Sequence, residues 1–171
     1  MTAVPPQAGE YPEPIQRFID LVPAGDILRT LHEQGTETAA YLRSLSEDLG
    51  WSRPADDRWS LRELVGHMLD TERVMVAAAL HFGRGHECDM PGLNAQGWVD
   101  ASEYDDRTLA DLCNEFEPLR AANVQMFGCL DTPDWLRTGT VDGAPYTPRG
   151  IAWFLAGHTN YHMGVARAEY A

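Results

Sequence analysis

His158 and His162 stand four residues apart in GHTNYHMG, residues 157–164. The stretch around them places Ile151, Phe154, Leu155 and Val165 on one helical face. Four residues advance a helix by about 400°, so both imidazoles lie near that inward face, on adjacent turns and roughly 6 Å apart at their base. That pitch lets two rings converge on one ion at about 2.0–2.1 Å from each nitrogen. A third ligand must come from another helix, and His67 is the candidate, beside the stripe of Leu64, Met68, Thr71 and Met75. His81 follows 14 residues later on the same predicted helix, roughly 21 Å along it, and cannot share a site with His67. His86 falls in a loop and His32 on the first helix. Spacing alone leaves two outcomes open. Three imidazoles can hold a divalent ion with a coordination position free, as catalytic zinc sites do; or they are core histidines that hydrogen-bond a neighbour. Thr159, not Glu, follows His158, so the H-E-x-x-H motif of zinc proteases is absent.

Four helical segments must position these side chains. Apolar residues recur at helical spacing from Gly25 to about Leu49, with Gly50 as a stop. Ser60-Leu61-Arg62-Glu63 is a capping-box pattern opening a second helix that runs to about Phe82, before Gly83 and Gly85. Thr108 and Asp111 open a third, through Phe127, in which Pro118 predicts a kink. Thr147-Pro148 is a cap and first-turn pair for the fourth, about 148–169. Residues 84–107 carry Gly, Pro, Asn and Asp without a clean period, and a connection this long is often functional. Residues 131–145 are turn-rich, and residues 1–14, with four prolines, predict an extended arm. The expectation is an all-α four-helix bundle in one domain over residues 1–171, with 1–24 as an N-terminal arm. Periodicity does not give the connectivity, but the long second connection leaves room for a crossover.

The composition sets outer limits. At 171 residues and 44% hydrophobic, the chain suits a single domain with a sizeable core. A net charge of −13 repels phosphate backbones and anionic lipid, which argues against a nucleic-acid or membrane partner. No apolar run approaches the roughly 20 residues of a membrane span, and MTAVPPQAGEYPEP lacks the basic-then-apolar pattern of a secretory signal. Cys88, Cys113 and Cys129 show no paired spacing and suit a reducing compartment, so a cytoplasmic protein with structural cysteines is expected.

The chain resembles the DinB/YfiT-like family of small helical metalloproteins at several places in order. RWSLRELVGHMLDTER, 58–73, is similar to the family's W-S-x-x-E-x-x-x-H segment through Trp59, Ser60, Glu63 and His67. DMPGLNAQGWVDAS, 89–102, resembles the stretch after the second helix, and AWFLAGHTNYHMGVARAEY, 152–170, the closing H-x-x-x-H helix. YPEPIQRFIDLVPAGDIL, 11–28, resembles the opening of one branch. The resemblance implies a non-sequential, up-down-down-up helix order and a metal triad of His67, His158 and His162. It implies nickel or zinc as the ion and frequent homodimers. Some branches are thiol transferases that use bacillithiol or mycothiol against electrophiles or isomerise maleylpyruvate. The expected function is therefore a thiol-dependent S-transferase acting on small electrophiles in detoxification or stress response, with a small-molecule thiol as partner. The alternatives are a metal-dependent hydrolase and a non-catalytic metal-binding stress protein. Asp70 and Thr71, about one turn beyond His67, and Asn160, between the paired histidines, are candidates for proton transfer or for orienting the ligands; the plain alternative for each is packing or surface.

Overall fold

Each long helix begins where a polar side chain turns back on the first turn. In the computed structural model, which describes residues 2–170, Asp26 accepts from the Leu28 and Arg29 amides at 2.9 and 3.3 Å and opens α2, Ile27–Ser44, after the short α1, Gln16–Ile19. Ser60 and Glu63 complete the capping box, at 3.1 and 2.8 Å, that starts α3, Leu61–Gly83. The 84–107 connection is not structureless: it carries β1, Asp89–Met90, and the helix α4, Ala95–Asp100, capped by Asn94. Thr108 caps α5, Leu109–Gly128, and the helix continues through Pro118. Strands β2, Gly139–Val141, and β3, Ala144–Tyr146, precede α6, Pro148–Glu169, which Thr147 caps through the Gly150 amide at 3.0 Å.

The long helices pack in a ring ordered α2–α5–α3–α6, so α2 sits across the diagonal from α3, and α5 from α6, while α3 and α5 are neighbours. Two apolar clusters fix their directions. One joins Ile27 and Leu31 of α2 and Ile151–Ala156 of α6 to the later residues Met75–Phe82 of α3 and Phe127 of α5. The other joins Leu42 and Met163 to the earlier residues Leu61–Leu69 of α3 and Leu109–Phe116 of α5. α2 and α6 therefore run one way and α3 and α5 the other, an up-down-down-up bundle. The order explains the long second connection. α3 ends at one end of the bundle and α5 begins at the other, so the chain between them must travel the full length. β1 pairs in parallel with β2 near the start of that path, and near its end the Tyr104 ring lies flat over Gly66, where any Cβ would overlap it.

Three sequence expectations need correction. α2 stops at Ser44, not near Leu49, because Leu45 turns extended and Glu47 leaves to accept from the Leu109 and Ala110 amides at the start of α5. The stretch expected to be turn-rich, 131–145, holds most of two of the three strands of a small sheet, the β2–β3 hairpin turning at Asp142-Gly143, both at positive φ. The N-terminal segment is no free arm. Phe18 and Ile19 are buried on α6, Glu10 pairs with Arg149, and the Phe18 carbonyl rests against Gly157. A Cβ at Gly157 would overlap that carbonyl. Gly157→Ala is expected to destabilise the fold by roughly 1–3 kcal/mol through overpacking, read as a lowered urea midpoint with an unchanged slope.

Candidate metal centre

Between the two apolar clusters every long helix turns polar. α3 contributes His67, Thr71 and Glu72 there, α6 contributes His158, Thr159 and His162, α5 contributes Arg120 and Asn123, and α2 contributes Gln34 and Thr38, all of them buried. In this layer the structure brings the three predicted histidines together. His158 Nε2 lies 3.1 Å from His67 Nε2 and 3.0 Å from His162 Nε2, and one ring nitrogen of each lies within 4.8 Å of the others.

Burial holds all three rings neutral. It takes His67 down to about 4; it takes His162 to about 3, with help from His67 and Arg17; and it puts His158 well below the ordinary 6.5, with its two partner rings adding to the effect. A neutral imidazole offers one lone pair and one N–H. The single lone pair of His158 Nε2 can accept from only one neighbour, so hydrogen bonding satisfies at most one of its two short contacts. A shared cation satisfies all three lone pairs at once, and separations of 3.0 and 3.1 Å suit nitrogens about 2.0–2.1 Å from one ion. The donor set therefore fits a divalent metal of the zinc or nickel type. His67 Nδ1 and His162 Nδ1 are buried without a hydrogen-bond partner, so packing fixes these rings. Trp59 stands 4.9 Å from the His67 ring, Tyr161 5.1 Å from His162, and Phe154 and Phe18 5.3 and 5.6 Å from His158.

The triad meets a cavity at one of its three rings. His162 borders a cavity of about 260 Å³ whose walls include Asp57, Arg58, Trp59, Gln96 and Tyr161. Trp59, just before the Ser60 cap of α3, spans the first histidine and this cavity, its indole N–H donating to Gln96 Oε1 at 3.2 Å. Gln96 comes from α4, so the long crossover supplies part of the wall.

None of the three predicted auxiliary residues borders that cavity. Asp70 accepts from the Tyr104 hydroxyl at 2.8 Å and faces Arg73, tying the crossover to α3. Thr71 is buried with its hydroxyl unpartnered. Asn160 accepts from Gln34 at 2.8 Å and donates to the Leu21 carbonyl at 3.0 Å, holding the N-terminal segment to α6. Like Gln34, Arg120 reaches α6 from within the core. It grips Glu72 through Nε and a terminal nitrogen at 2.7–2.9 Å, and donates to Thr159, the neighbour of His158, at 2.9 Å, and to Gln34 at 2.7 Å. Its sequence signal was a charged residue on the buried face of an amphipathic helix, which occurs in cores only when paired.

The profile of a family described as the DinB superfamily matches residues 30–166. No protein of curated function matches the sequence. Among solved structures the chain is similar to YfiT from Bacillus subtilis, described as a probable metal-dependent hydrolase with an unusual four-helix bundle topology. The two are 11% identical, with a TM-score of 0.70 over 96% of this chain and 92% of that one, a likeness of fold. Among the described residues no helix is long and apolar enough to cross a membrane.

Proposed function

The chain belongs to the DinB superfamily, and from that premise we propose that it is a metal-dependent enzyme whose divalent ion, nickel or zinc, is held by His67, His158 and His162. The reaction proposed is transfer of a small-molecule thiol to a small electrophile. The observation that carries this reading is the convergence of three neutral imidazole nitrogens beside an open cavity. A bound divalent ion supplies, with neutral ligands, an uncompensated positive charge that favours ionisation of a thiol or a water.

The chain's own residues supply the rest. Burial keeps the imidazoles neutral, so each has a ring lone pair to offer an ion. Trp59 and Tyr161 give the cavity apolar walls that limit water around the reacting groups. Arg58 and Gln96 offer donors to a carboxylate or amide on the thiol or its acceptor. A second reading, hydrolysis, is favoured by Asp57, a carboxylate on the same wall that can take a proton from water.

Tag-free protein loaded with nickel or zinc, given bacillithiol or mycothiol and monochlorobimane, is expected to form the conjugate at a rate that metal stripping abolishes. An equal rate from stripped protein contradicts the proposal. A metal-dependent rate confined to ester or amide substrates, lost in Asp57→Asn, selects hydrolysis instead.

A further inference from the structure

The far end of α3 carries a second cluster of metal-ligating side chains, roughly 21 Å along the helix from His67. α3 closes with Gly85 in the left-handed region at φ 82°, its amide donating to the Phe82 carbonyl at 2.8 Å while the His86 amide donates to the His81 carbonyl at 2.9 Å. This pair of bonds is a Schellman closure, which brings the third-last helical residue against the second residue beyond the cap. Those positions usually hold an apolar pair. Here both are imidazoles, with ring centroids 5.7 Å apart.

Two residues later the chain enters the sheet. The Cys88 carbonyl accepts from the Thr140 amide at 3.1 Å, which anchors the backbone so that the thiol lies beside the two rings. One nitrogen of His81, one of His86 and Cys88 Sγ all lie within 4.8 Å of one another. His81 and His86 are exposed and free to rotate the small amount that coordination requires, whereas Cys88 is half-buried and fixed. A basic residue in the last turn is common at helix ends, which would account for His81 alone but not for His86 or Cys88. Arg84 shares the shallow hollow of about 270 Å³ formed with Leu80, His81 and His86, while Glu87 adjoins Cys88.

We propose that His81, His86 and Cys88 form a second metal site that takes one zinc-type divalent ion, separate from the buried triad. Two imidazoles and a thiolate are a borderline-to-soft donor set, suited to zinc in preference to magnesium or calcium. Solvent completes the coordination because the site lies at the surface. Binding releases the thiol proton to solvent and clamps the end of α3 to the start of the crossover.

Cobalt(II) reports on the thiolate directly. Tag-free, reduced protein carrying His158→Ala, which disables the triad, is expected to show the near-ultraviolet thiolate-to-cobalt charge-transfer absorption. Adding Cys88→Ser abolishes the band, and adding His86→Ala weakens cobalt affinity by at least about tenfold. In parallel, zinc slows iodoacetamide alkylation of Cys88 about tenfold or more, as a ligated thiolate loses its reactivity. The exposed Cys129 serves as internal control and keeps its rate. Absence of the band, its survival in Cys88→Ser, or an unchanged Cys88 alkylation rate in zinc overturns the proposal.

Discussion

Alanine in place of His158 is expected to abolish metal binding and to leave the bundle folded. His158 Nε2 is the hub of the triad, 3.1 Å from His67 Nε2 and 3.0 Å from His162 Nε2, whereas the structure shows no comparably short contact between the outer two nitrogens. Without it two ligands remain, one on each of two helices. Losing a group that only orients a ligand costs about 10–100-fold in affinity, so losing a central ligand costs more than about 100-fold. Competition against a chromophoric chelator measures this. Any metal-dependent activity is expected to fall with the metal, while far-ultraviolet circular dichroism stays that of a helical bundle. The same substitution empties space beside Phe18 and Phe154. A modest loss of stability is therefore expected even in metal-free protein, and comparing the metal-free forms separates it from the metal effect.

Glu72→Ala gives the largest expected loss of stability. Glu72 and Arg120 are each 1% exposed, and the carboxylate takes three contacts from the guanidinium and one from Asn123 at 3.0 Å. Removing it leaves a guanidinium deep in the bundle with only Gln34, Thr159 and the Leu31 carbonyl. Breaking one side of a buried pair costs about 3–5 kcal/mol, or roughly 6–20 °C in midpoint for a domain of this size. Replacing both partners with apolar residues, Glu72→Leu with Arg120→Met, recovers most of that loss, because no uncompensated charge remains. If the pair also positions the triad through Thr159, the stable double variant binds metal more weakly than wild type. If it only fixes the helix register, the double variant keeps wild-type metal affinity.

Much of this design is visible in the sequence because it is local. Ser60 with Glu63 and Thr147 with Pro148 announce helix starts through bonds that span three residues, and the i, i+4 pair of His158 and His162 needs only helical pitch. What escapes is what depends on partners far along the chain. Glu72 and Arg120 are 48 residues apart, and although each falls on the buried face of its helix, neither names the other as its partner. Asp70 and Asn160 were candidates because they are close in sequence to ligands, yet Tyr104 and Gln34, which arrive from other elements, claim them. The N-terminal helix is too short for a period, and its burial depends on Gly157 letting the Phe18 backbone approach. The β2–β3 hairpin did carry a local signal, since Asp142-Gly143 is a favoured two-residue turn, but its strands are only three residues each.

X-ray absorption at the metal edge, combined with metal analysis, tests the triad most directly. The protein should be tag-free and carry Cys88→Ser and His86→Ala, so that only the buried site can hold an ion. The predicted result is one nickel or zinc per chain with a shell that includes three imidazole nitrogens at about 2.0–2.1 Å, falling to no bound metal when His158→Ala is added. A first shell of oxygen alone, or stoichiometric metal that survives His158→Ala, contradicts the assignment of His67, His158 and His162 as the metal centre.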